Sequence, residues 1–262
     1  MPGPDSDLAL LTDAAREAGR IAMRFWRQSP RAWDKGDQGP VTEADIAVNE
    51  MLADRLRAAR PGYGWLSEES IDDPARLTAA AVFIIDPIDG TRAFIEGQDT
   101  FAHSLAVARG GQVTAAVVFL PALDRLYAAA DDSPATRNGE AIRASLQGGI
   151  AGARMLLTQP TLAAEHWPGG VPDLRRSFRS SLAYRLCLVA EGRHDGMATF
   201  RPTWEWDVAA GCLIAARAGA EVSDANGAAL VFNRAVPSLD GLIVGAPGLH
   251  AELMLRRGAV AG

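Results

Sequence analysis

The chain has 262 residues, of which 48% are hydrophobic and 22% charged, so it is long enough to bury a large core and to fold without help. Its 26 basic and 32 acidic residues give a formal net charge of −6, and this disfavours nucleic acid as the main partner, because phosphate backbones bind clustered positive charge. Length alone allows one large domain or two of moderate size.

Two helices joined by a loop are predicted at the start of the chain. After Ser6 as an N-cap, apolar residues recur at helical spacing to about residue 28. Residues 29–40 hold two prolines and two glycines and predict a loop. A second helix begins near Thr42, whose spacing to Asp45 resembles a capping box, and it must end before the Pro-Gly pair that follows.

Strands are predicted next along the chain. Their predicted positions are residues 81–85, 104–108, 113–120 and 125–130. The first is a continuous apolar run, which is typical of a buried central strand. Gly110 and Gly111 lie between the second and third strands and indicate a hairpin.

The second half of the chain has the pattern of an α/β unit. A glycine-rich stretch at Gln147–Gly149 predicts a domain boundary. Beyond it, short apolar strands alternate with helical segments, at residues 155–157, 182–191, 207–218 and 242–245.

Lysine, cysteine and histidine are too scarce or too scattered for several common chemistries. Lys35 is the single lysine and follows Asp34, so the chain has no G-x-x-x-x-G-K-[ST] phosphate loop and only one candidate for Schiff-base chemistry. The two cysteines, Cys187 and Cys212, lie in apolar helical segments and predict buried thiols in a reducing compartment. The histidines show no metal-ligand spacing, so any metal must be held mainly by oxygen.

The sequence shows no targeting or membrane-spanning segment. Its first residues carry several acidic side chains and lack the basic start and apolar run of a signal peptide. The longest apolar stretch, Ala79–Ile85, is far shorter than the roughly 20 residues that span a bilayer. We expect a cytoplasmic protein with no membrane partner. The oligomeric state stays open, with a homodimer as the commonest arrangement of soluble oligomers.

The most informative motif is Asp86-Pro-Ile-Asp-Gly-Thr91, at the end of the first predicted strand. Functional groups commonly lie at strand ends in open sheets. Two carboxylates three residues apart across a proline turn can converge on one point, and the Ile88 carbonyl between them can serve as a third oxygen ligand. Gly90 permits a positive φ, so the amides of Gly90 and Thr91 can hold a phosphate. We interpret the motif as a functional site in preference to a capped polar turn.

Three further acidic clusters carry weaker signals when each is taken alone. Ser67–Ser70 contains two adjacent glutamates, which usually mark a solvated surface. Asp45 and Asp207 both stand where helices are predicted to begin, and an aspartate there is ordinarily a cap. For each of these clusters taken alone, a structural role as a solvated surface or a helix cap is therefore at least as good an explanation as a functional role.

Together the four clusters resemble the inositol monophosphatase superfamily of Mg²⁺-dependent phosphatases. The chain matches its ordered motifs V-T-x-x-D, E-E-S, D-P-I-D-G-T and W-D-x-A-A-G, which begin at Val41, Glu68, Asp86 and Trp206. The resemblance covers nearly the whole chain and implies a five-layer α-β-α-β-α sandwich of mixed α+β and α/β type. The implied domains are an N-terminal α+β domain with an antiparallel sheet, residues 1–148, and a C-terminal α/β domain, residues 149–262, with the active site between them.

The resemblance also implies a metal site and a mechanism. Carried over by position, the ligands of two or three Mg²⁺ ions are Glu68, Asp86, the Ile88 carbonyl, Asp89 and Asp207. Hard oxygen ligands select Mg²⁺, and the cations neutralise carboxylates that would otherwise repel one another. The implied reaction is phosphomonoester hydrolysis by a Mg²⁺-activated water that Glu68 and Thr91 orient, with Asp45 fixing the Thr91 hydroxyl. Inhibition by Li⁺ is implied as well.

The substrate is predicted from local similarity around the last motif. Inositol monophosphatases have a ring-binding glutamate seven residues before the aspartate of the W-D motif, and that position is Phe200 here. The segment Phe200–Asp207 is instead similar to the P-T-x-x-W-D segment of bacterial bisphosphate nucleotidases, and so is Ser180–Leu182. The predicted substrate contacts are Asp89, Gly90, Thr91, Arg185, Arg201 and Glu205.

We therefore favour adenosine 3′,5′-bisphosphate as the substrate, with Arg185 and Arg201 meeting its second phosphate. Inositol 1-phosphate or another small polyol phosphate is the first alternative, and histidinol phosphate is another within the same fold. A non-catalytic regulator that binds a phosphorylated metabolite is the alternative from a different class. The complete set of ligand and water-orienting residues argues against it.

Overall fold

Six α-helices lie within the part of the chain that the computed structural model describes, residues 3–36 and 39–258. They are α1 Pro4–Phe25, α2 Glu43–Ala59, α3 Thr91–Ile95, α4 Leu182–Ala190, α5 Glu205–Arg217 and α6 Pro247–Arg257. Within those described ranges, no helix combines the length and the apolar character needed to cross a membrane.

The first half of the chain forms a short hairpin and a seven-stranded sheet. The hairpin pairs β1 Ala32–Asp34 with β2 Pro40–Thr42. The sheet keeps its strands in chain order: β3 Gly64–Ser67, β4 Val82–Asp89, β5 Ala102–Arg109, β6 Gln112–Leu120, β7 Arg125–Ala130, β8 Thr136–Arg137 and β9 Glu140–Ala141. β3 and β4 run parallel, and each later neighbour is antiparallel.

The second half forms a five-stranded mixed sheet and one further small ribbon. Its strands are β10 Arg154–Leu156, β11 Arg175–Ser177, β12 Gly196–Thr199, β13 Thr203–Trp204, β14 Glu221–Ser223, β15 Ser238–Leu239 and β16 Leu242–Gly245. The order in the sheet is β11-β10-β12-β16-β14, and β13 pairs with β15 outside it.

Helices and sheets stack in five layers. Alternate residues of a strand face opposite ways, so Phe83 and Ile85 of β4 pack in the core with α1 and α2, while Val82 and Ile84 pack in the core with α4 and α5. That second core continues into the five-stranded sheet, whose outer face packs on α6. The order is therefore α-β-α-β-α, which confirms the predicted sandwich.

Several predicted elements and caps are confirmed. Gly110 and Gly111 join β5 to β6, and β16 spans the predicted residues 242–245. The Thr42 side chain accepts hydrogen bonds from the backbone at the start of α2, and the Asp45 carboxylate accepts the Thr42 N–H, so an aspartate completes the capping box. Both cysteines are buried and free.

Four boundaries differ from the prediction. α1 begins at Pro4 with Gly3 as its N-cap, not Ser6, because the fixed φ of proline suits the first position of a helix. The predicted loop at residues 29–40 contains the β1 strand, and its last residue, Pro40, begins β2. β4 continues beyond Ile85 to Asp89. α5 begins at Glu205 with Trp204 as its N-cap, so Asp207 lies in the first turn and does not cap the helix.

The chain passes from one sheet to the other between β9 and β10. These strands flank Gln147–Gly149, where the domain boundary is predicted. The middle core nevertheless contains residues from both halves of the chain, because α4 and α5 pack between the two sheets. The division into domains at residues 148 and 149 stays a prediction.

Gly211 lets α5 lie very close to α4 in the middle layer. A Cβ at this position would lie 2.5 Å from Leu186 Cδ1 and 2.6 Å from Leu186 Cβ. Every residue of α4 is buried, so the helix has little room to move away. The contact matters for the site because the first turns of both helices reach the acidic residues described below.

Replacing Gly211 by alanine is expected to lower the free energy of unfolding by about 2 kcal/mol, because overpacking a filled core typically costs 1–3 kcal/mol. Urea unfolding followed by circular dichroism measures the change. Gly62→Ala is the matched control, since a Cβ there meets no atom within 4 Å. Equal stability of the two variants would contradict the close packing.

Candidate active site

Three carboxylates from separate elements meet at one edge of the seven-stranded sheet. Glu68 follows β3, Asp86 lies within β4, and Asp207 lies in the first turn of α5. β3 and β4 run parallel, so their carboxyl ends lie at the same edge. One oxygen from each of the three side chains lies within 4.8 Å of the others. The structure therefore brings together three of the predicted ligand residues.

A bulge in β4 shapes the Asp86-Pro-Ile-Asp segment. Asp86 pairs with Ser104 of β5 and Asp89 pairs with Ala102, so two residues of β4 lie opposite the single residue His103. Gly90 follows with φ +96°, and a Cβ there would lie 3.3 Å from the Thr100 carbonyl oxygen. The positive φ predicted for Gly90 is therefore present, and it starts α3 at Thr91.

The Thr91 hydroxyl is held between two oxygen acceptors. Its Oγ1 lies 3.2 Å from Asp45 Oδ1 and 3.0 Å from the Ile88 carbonyl oxygen. The other carboxylate oxygen of Asp45 accepts hydrogen bonds from the Thr42 amide and hydroxyl. Asp45 therefore contributes to the cap of α2, and it also contacts the Thr91 hydroxyl.

Asp89 links the β4 bulge to α4. Its Oδ2 accepts hydrogen bonds from Ser181 Oγ at 2.6 Å and from the Ala183 amide at 2.7 Å. Ser181 caps α4 with φ +62°, a strained conformation for a residue other than glycine. Asp89 is not one of the three residues whose oxygens lie within 4.8 Å of one another. Its other carboxylate oxygen is the one that these bonds leave for a ligand.

Burial raises the pKa of five carboxyl groups in this region, those of Asp45, Glu68, Asp86, Asp89 and Asp207. Burial raises the pKa of Glu68 to about 7, although the ammonium of Lys35 opposes the change. Burial, reinforced by the neighbouring carboxylates, raises the pKa of Asp86 and Asp207, and burial also raises that of Asp89. Burial raises the pKa of Asp45 to about 6 against its hydrogen bonds from Thr42. The site therefore disfavours its own ionised form.

The donor set fits a hard divalent cation. Its side-chain donors are carboxylate oxygens, which Mg²⁺ prefers over soft-ligand metals. Oδ1 of Asp86 is buried and has no hydrogen-bond partner among the described residues. A buried acceptor without a donor is costly, and a bound cation would satisfy it and offset the repulsion.

Two residues near Glu68 were not among the predicted site residues. Lys35 Nζ lies 3.2 Å from Glu68 Oε1 and 2.6 Å from Glu69 Oε1. Asn49 of α2 accepts a hydrogen bond from Ser67 Oγ and donates to the Glu69 carbonyl oxygen, which fixes the turn that carries Glu68. Lys35 was visible as the single lysine, whereas nothing in the helical pattern distinguishes Asn49.

The predicted substrate residues occupy different environments. Arg185, in the first turn of α4, is 7% exposed, and its guanidinium lies 4.4 Å from the centre of the Phe178 ring. Burial lowers the pKa of Arg185 to about 10, with Asp89 opposing the change and Arg201 adding to it. The charge of Arg201 also opposes the rise in the pKa of Asp207. Both arginines therefore lie within electrostatic reach of the acidic residues.

Glu205 does not fit the substrate contact predicted for it. The residue is fully buried, and its carboxylate accepts hydrogen bonds from the amides of Asn233 and Arg234. It therefore anchors the loop that precedes β15, and no part of it is exposed to a ligand. Phe200 packs in the outer core with Trp167, under the guanidinium of Arg257.

Comparisons with known proteins agree with this geometry. A sequence model described as the inositol monophosphatase family matches residues 4–258. An inositol-1-monophosphatase of Rhizobium meliloti is 35% identical over 237 residues, which cover 84% of this chain and 86% of that protein. A 3′(2′),5′-bisphosphate nucleotidase of Escherichia coli is 32% identical over 226 residues, which cover 83% and 90%. The solved structure of an IMPase from Thermotoga maritima has a TM-score of 0.81 at 28% identity and covers 96% of both chains.

Neutralising Asp86 is expected to stabilise the chelator-treated protein, because a carboxyl whose pKa is raised in the fold destabilises that fold when ionised. Asp86→Asn should raise Tm by a few degrees in a chelator. The same variant should also lose the rise in Tm that Mg²⁺ causes in the wild type. A Mg²⁺ concentration of 100 times Kd stabilises the fold by about 2.7 kcal/mol, which corresponds to roughly 5–10 °C for a chain of this length. Differential scanning calorimetry measures both effects.

Asp195→Asn is the matched control, and it is expected to destabilise the fold where Asp86→Asn stabilises it. Burial opposes ionisation there, but hydrogen bonds from Arg154 hold the pKa of Asp195 below its usual range, so its charge stabilises the fold. The free energy of unfolding of this variant should fall by about 2 kcal/mol, the order expected for a hydrogen-bonded charged group. Its Tm should still rise when Mg²⁺ is added. A Mg²⁺ response retained in Asp86→Asn would contradict the proposed donor set.

Proposed function

The chain belongs to the inositol monophosphatase family and is a phosphoric monoester hydrolase, and we propose that it acts with Mg²⁺ held by the acidic residues at the sheet edge. The observation that carries this proposal is the convergence of Glu68, Asp86 and Asp207, one oxygen of each lying within 4.8 Å of the others, together with the buried Asp86 Oδ1, which has no hydrogen-bond partner among the described residues. Binding two or three divalent cations would relieve the repulsion that raises the pKa of these groups.

The ligands that we propose are Glu68, Asp86, the Ile88 carbonyl, Asp89 and Asp207. Asp89 has one carboxylate oxygen engaged by α4 and one left for a cation. The Ile88 carbonyl oxygen lies 3.0 Å from Thr91 Oγ1, and when the Thr91 hydroxyl donates its one hydrogen to Asp45, both lone pairs of this carbonyl oxygen are left for a cation. When bound, Mg²⁺ supplies Lewis-acid stabilisation of phosphoryl charge and lowers the pKa of water.

Thr91, Asp45 and Glu68 orient the attacking water in this proposal. The Asp45 carboxylate accepts the Thr91 hydroxyl hydrogen, so the hydroxyl oxygen is free to accept a hydrogen from water. Glu68 lies beside the proposed cation position, and its carboxylate, ionised when a cation is bound, can accept a hydrogen bond from that water. The amides of Gly90 and Thr91, next to the positive φ of Gly90, are the proposed donors to the phosphate.

Inositol 1-phosphate is the first substrate to test. The relatives compared above include an inositol-1-monophosphatase at 35% identity and a bisphosphate nucleotidase at 32%, so they do not favour the nucleotide predicted from the sequence over inositol 1-phosphate. A specific observation keeps the bisphosphate as the second candidate. Phe200 occupies the place of the ring-binding glutamate, and the charges of Arg185 and Arg201 act on the acidic residues.

Phosphate release from inositol 1-phosphate, adenosine 3′,5′-bisphosphate and histidinol phosphate, with Mg²⁺ or with a chelator, tests the proposal. The ratio kcat/KM ranks the three substrates. Release that needs Mg²⁺ supports the metal site whichever substrate is preferred. Release that is unchanged in the chelator would overturn it, and no release from any of the three would exclude them as substrates and move the choice to another phosphate ester.

Thr91→Val is expected to reduce kcat by about 100-fold, the lower end for a group that assists proton transfer, with a small change in KM. Thr91→Ser keeps the hydroxyl and should retain most of the activity. Steady-state kinetics on the preferred substrate measure both variants. Equal activity of the valine and serine variants would remove Thr91 from the mechanism.

Arg201→Ala separates the two substrate candidates. If Arg201 binds a second phosphate, kcat/KM for the bisphosphate should fall about tenfold, since one charge-assisted contact is worth about 1.4 kcal/mol. The value for inositol 1-phosphate should change less than twofold. Arg234→Ala is the control, because its guanidinium donates to the Ser238 carbonyl oxygen. A similar decrease for both substrates in Arg201→Ala would assign Arg201 to general attraction of anions.

A further inference from the structure

Two adjacent residues of β5, His103 and Ser104, form hydrogen bonds to the backbone on two sides of the acidic site, the β4 bulge and the start of α5. His103 Nδ1 lies 2.5 Å from the Pro87 carbonyl oxygen, in the bulge between Asp86 and Asp89. Ser104 Oγ donates to the Trp206 carbonyl oxygen at 2.9 Å, one residue before Asp207. Both residues are almost completely buried, at 0% and 1% exposure.

Strand geometry explains how neighbours can reach opposite parts of one site. Successive side chains of a strand point to opposite faces of the sheet. His103 lies in the face that packs on α1 and α2, near the rings of Phe101 and Phe119. Ser104 lies in the other face, where α5 packs.

A histidine at this buried position is destabilising, so its presence indicates that its hydrogen bond to Pro87 is needed. A carbonyl oxygen is only an acceptor, so Nδ1 must carry the hydrogen, which leaves Nε2 as an acceptor. Nε2 is buried and has no partner among the described residues. Its neighbours on β4 and β5 are apolar, so a β-branched apolar side chain would suit the layer better than an imidazole with an unpaired nitrogen.

Each hydrogen bond fixes a backbone unit next to a proposed ligand. The Pro87 carbonyl belongs to the peptide that leads into Ile88, so the bond from His103 sets the orientation in which the Ile88 carbonyl and Asp89 follow. The Trp206 carbonyl belongs to the peptide that leads into Asp207, so the bond from Ser104 ties the first turn of α5 to the sheet. One strand therefore holds both sides of the site at a fixed separation.

We propose that His103 and Ser104 are positioning residues that set the spacing between the Ile88–Asp89 side and the Asp207 side of the metal site. Neither residue is among the proposed ligands of the metal or of the substrate. This inference rests on the proposed function, because the spacing matters only if the acidic residues bind a cation together.

Isothermal titration with Mg²⁺, beside steady-state kinetics, tests the inference. His103→Val removes the donor and should weaken Mg²⁺ binding about tenfold, at the low end of the 10–100-fold range for residues that orient metal ligands. His103→Asn places an amide N–H where Nδ1 was and should recover most of the affinity. Ser104→Ala should weaken binding by a similar factor, and Ser104→Thr should restore it.

Thr114→Val is the matched control. Thr114 Oγ1 also donates to a strand carbonyl, that of Val107, in the same sheet but at the other end of the hairpin. This variant should bind Mg²⁺ as the wild type does. If His103→Val fails to fold by circular dichroism, the pair Ser104→Ala and Ser104→Thr carries the test alone.

The outcomes separate the two proposals. A wild-type protein that does not bind Mg²⁺ overturns the proposed function and this inference with it. Wild-type binding that persists unchanged in His103→Val and Ser104→Ala overturns the inference alone. An equal loss in Thr114→Val, or no recovery in His103→Asn and Ser104→Thr, also overturns it, because a general loosening of the sheet would then explain the effect.

Discussion

Repulsion between buried carboxylates is the constraint on which the rest of this structure depends. Glu68, Asp86 and Asp207 place oxygens within 4.8 Å of one another, in surroundings where burial already disfavours ionisation. No pairing between these groups can relieve the strain, since all carry the same charge. The scaffold must therefore hold them together by contacts made elsewhere, and the proposed cation site would account for this unfavourable arrangement.

The five layers supply those contacts. Parallel pairing of β3 with β4 brings two of the carboxylates to one sheet edge, and the close approach of α4 and α5 at Gly211 brings the third. Asp89 joins the sheet to α4 through Ser181, whose strained backbone persists because the surrounding hydrogen bonds hold it. The residues that shape the site are thus spread over both halves of the chain, and the common core of α4 and α5 keeps them in register.

Local patterns were sufficient for much of this architecture. The Asp86–Thr91 motif, the capping box at Thr42 and the β5–β6 hairpin could be predicted because each depends on residues close in sequence. Three contacts could not be predicted, because each joins elements that are distant in sequence and no local pattern shows how they pack. They are Lys35 with Glu68, Asn49 with Ser67, and His103 with the Pro87 carbonyl. Glu205 was misassigned for the same reason, since its partners lie 28 and 29 residues further along the chain.

Substrate choice depends on the charge that the fold presents beside the acidic residues. The proposed catalytic part of the site is a cluster of carboxylates that would act on any phosphate group through bound cations, so it does not by itself distinguish one phosphate ester from another. Discrimination must come from neighbouring residues, and Arg201 and the buried Arg185 bring positive charge near Asp207 and Asp89. Phe200 is turned into the outer core, so a polyol ring would find no carboxylate from this position. A second anionic group would find charge complementarity there, whereas an uncharged polyol would have to be recognised by other residues.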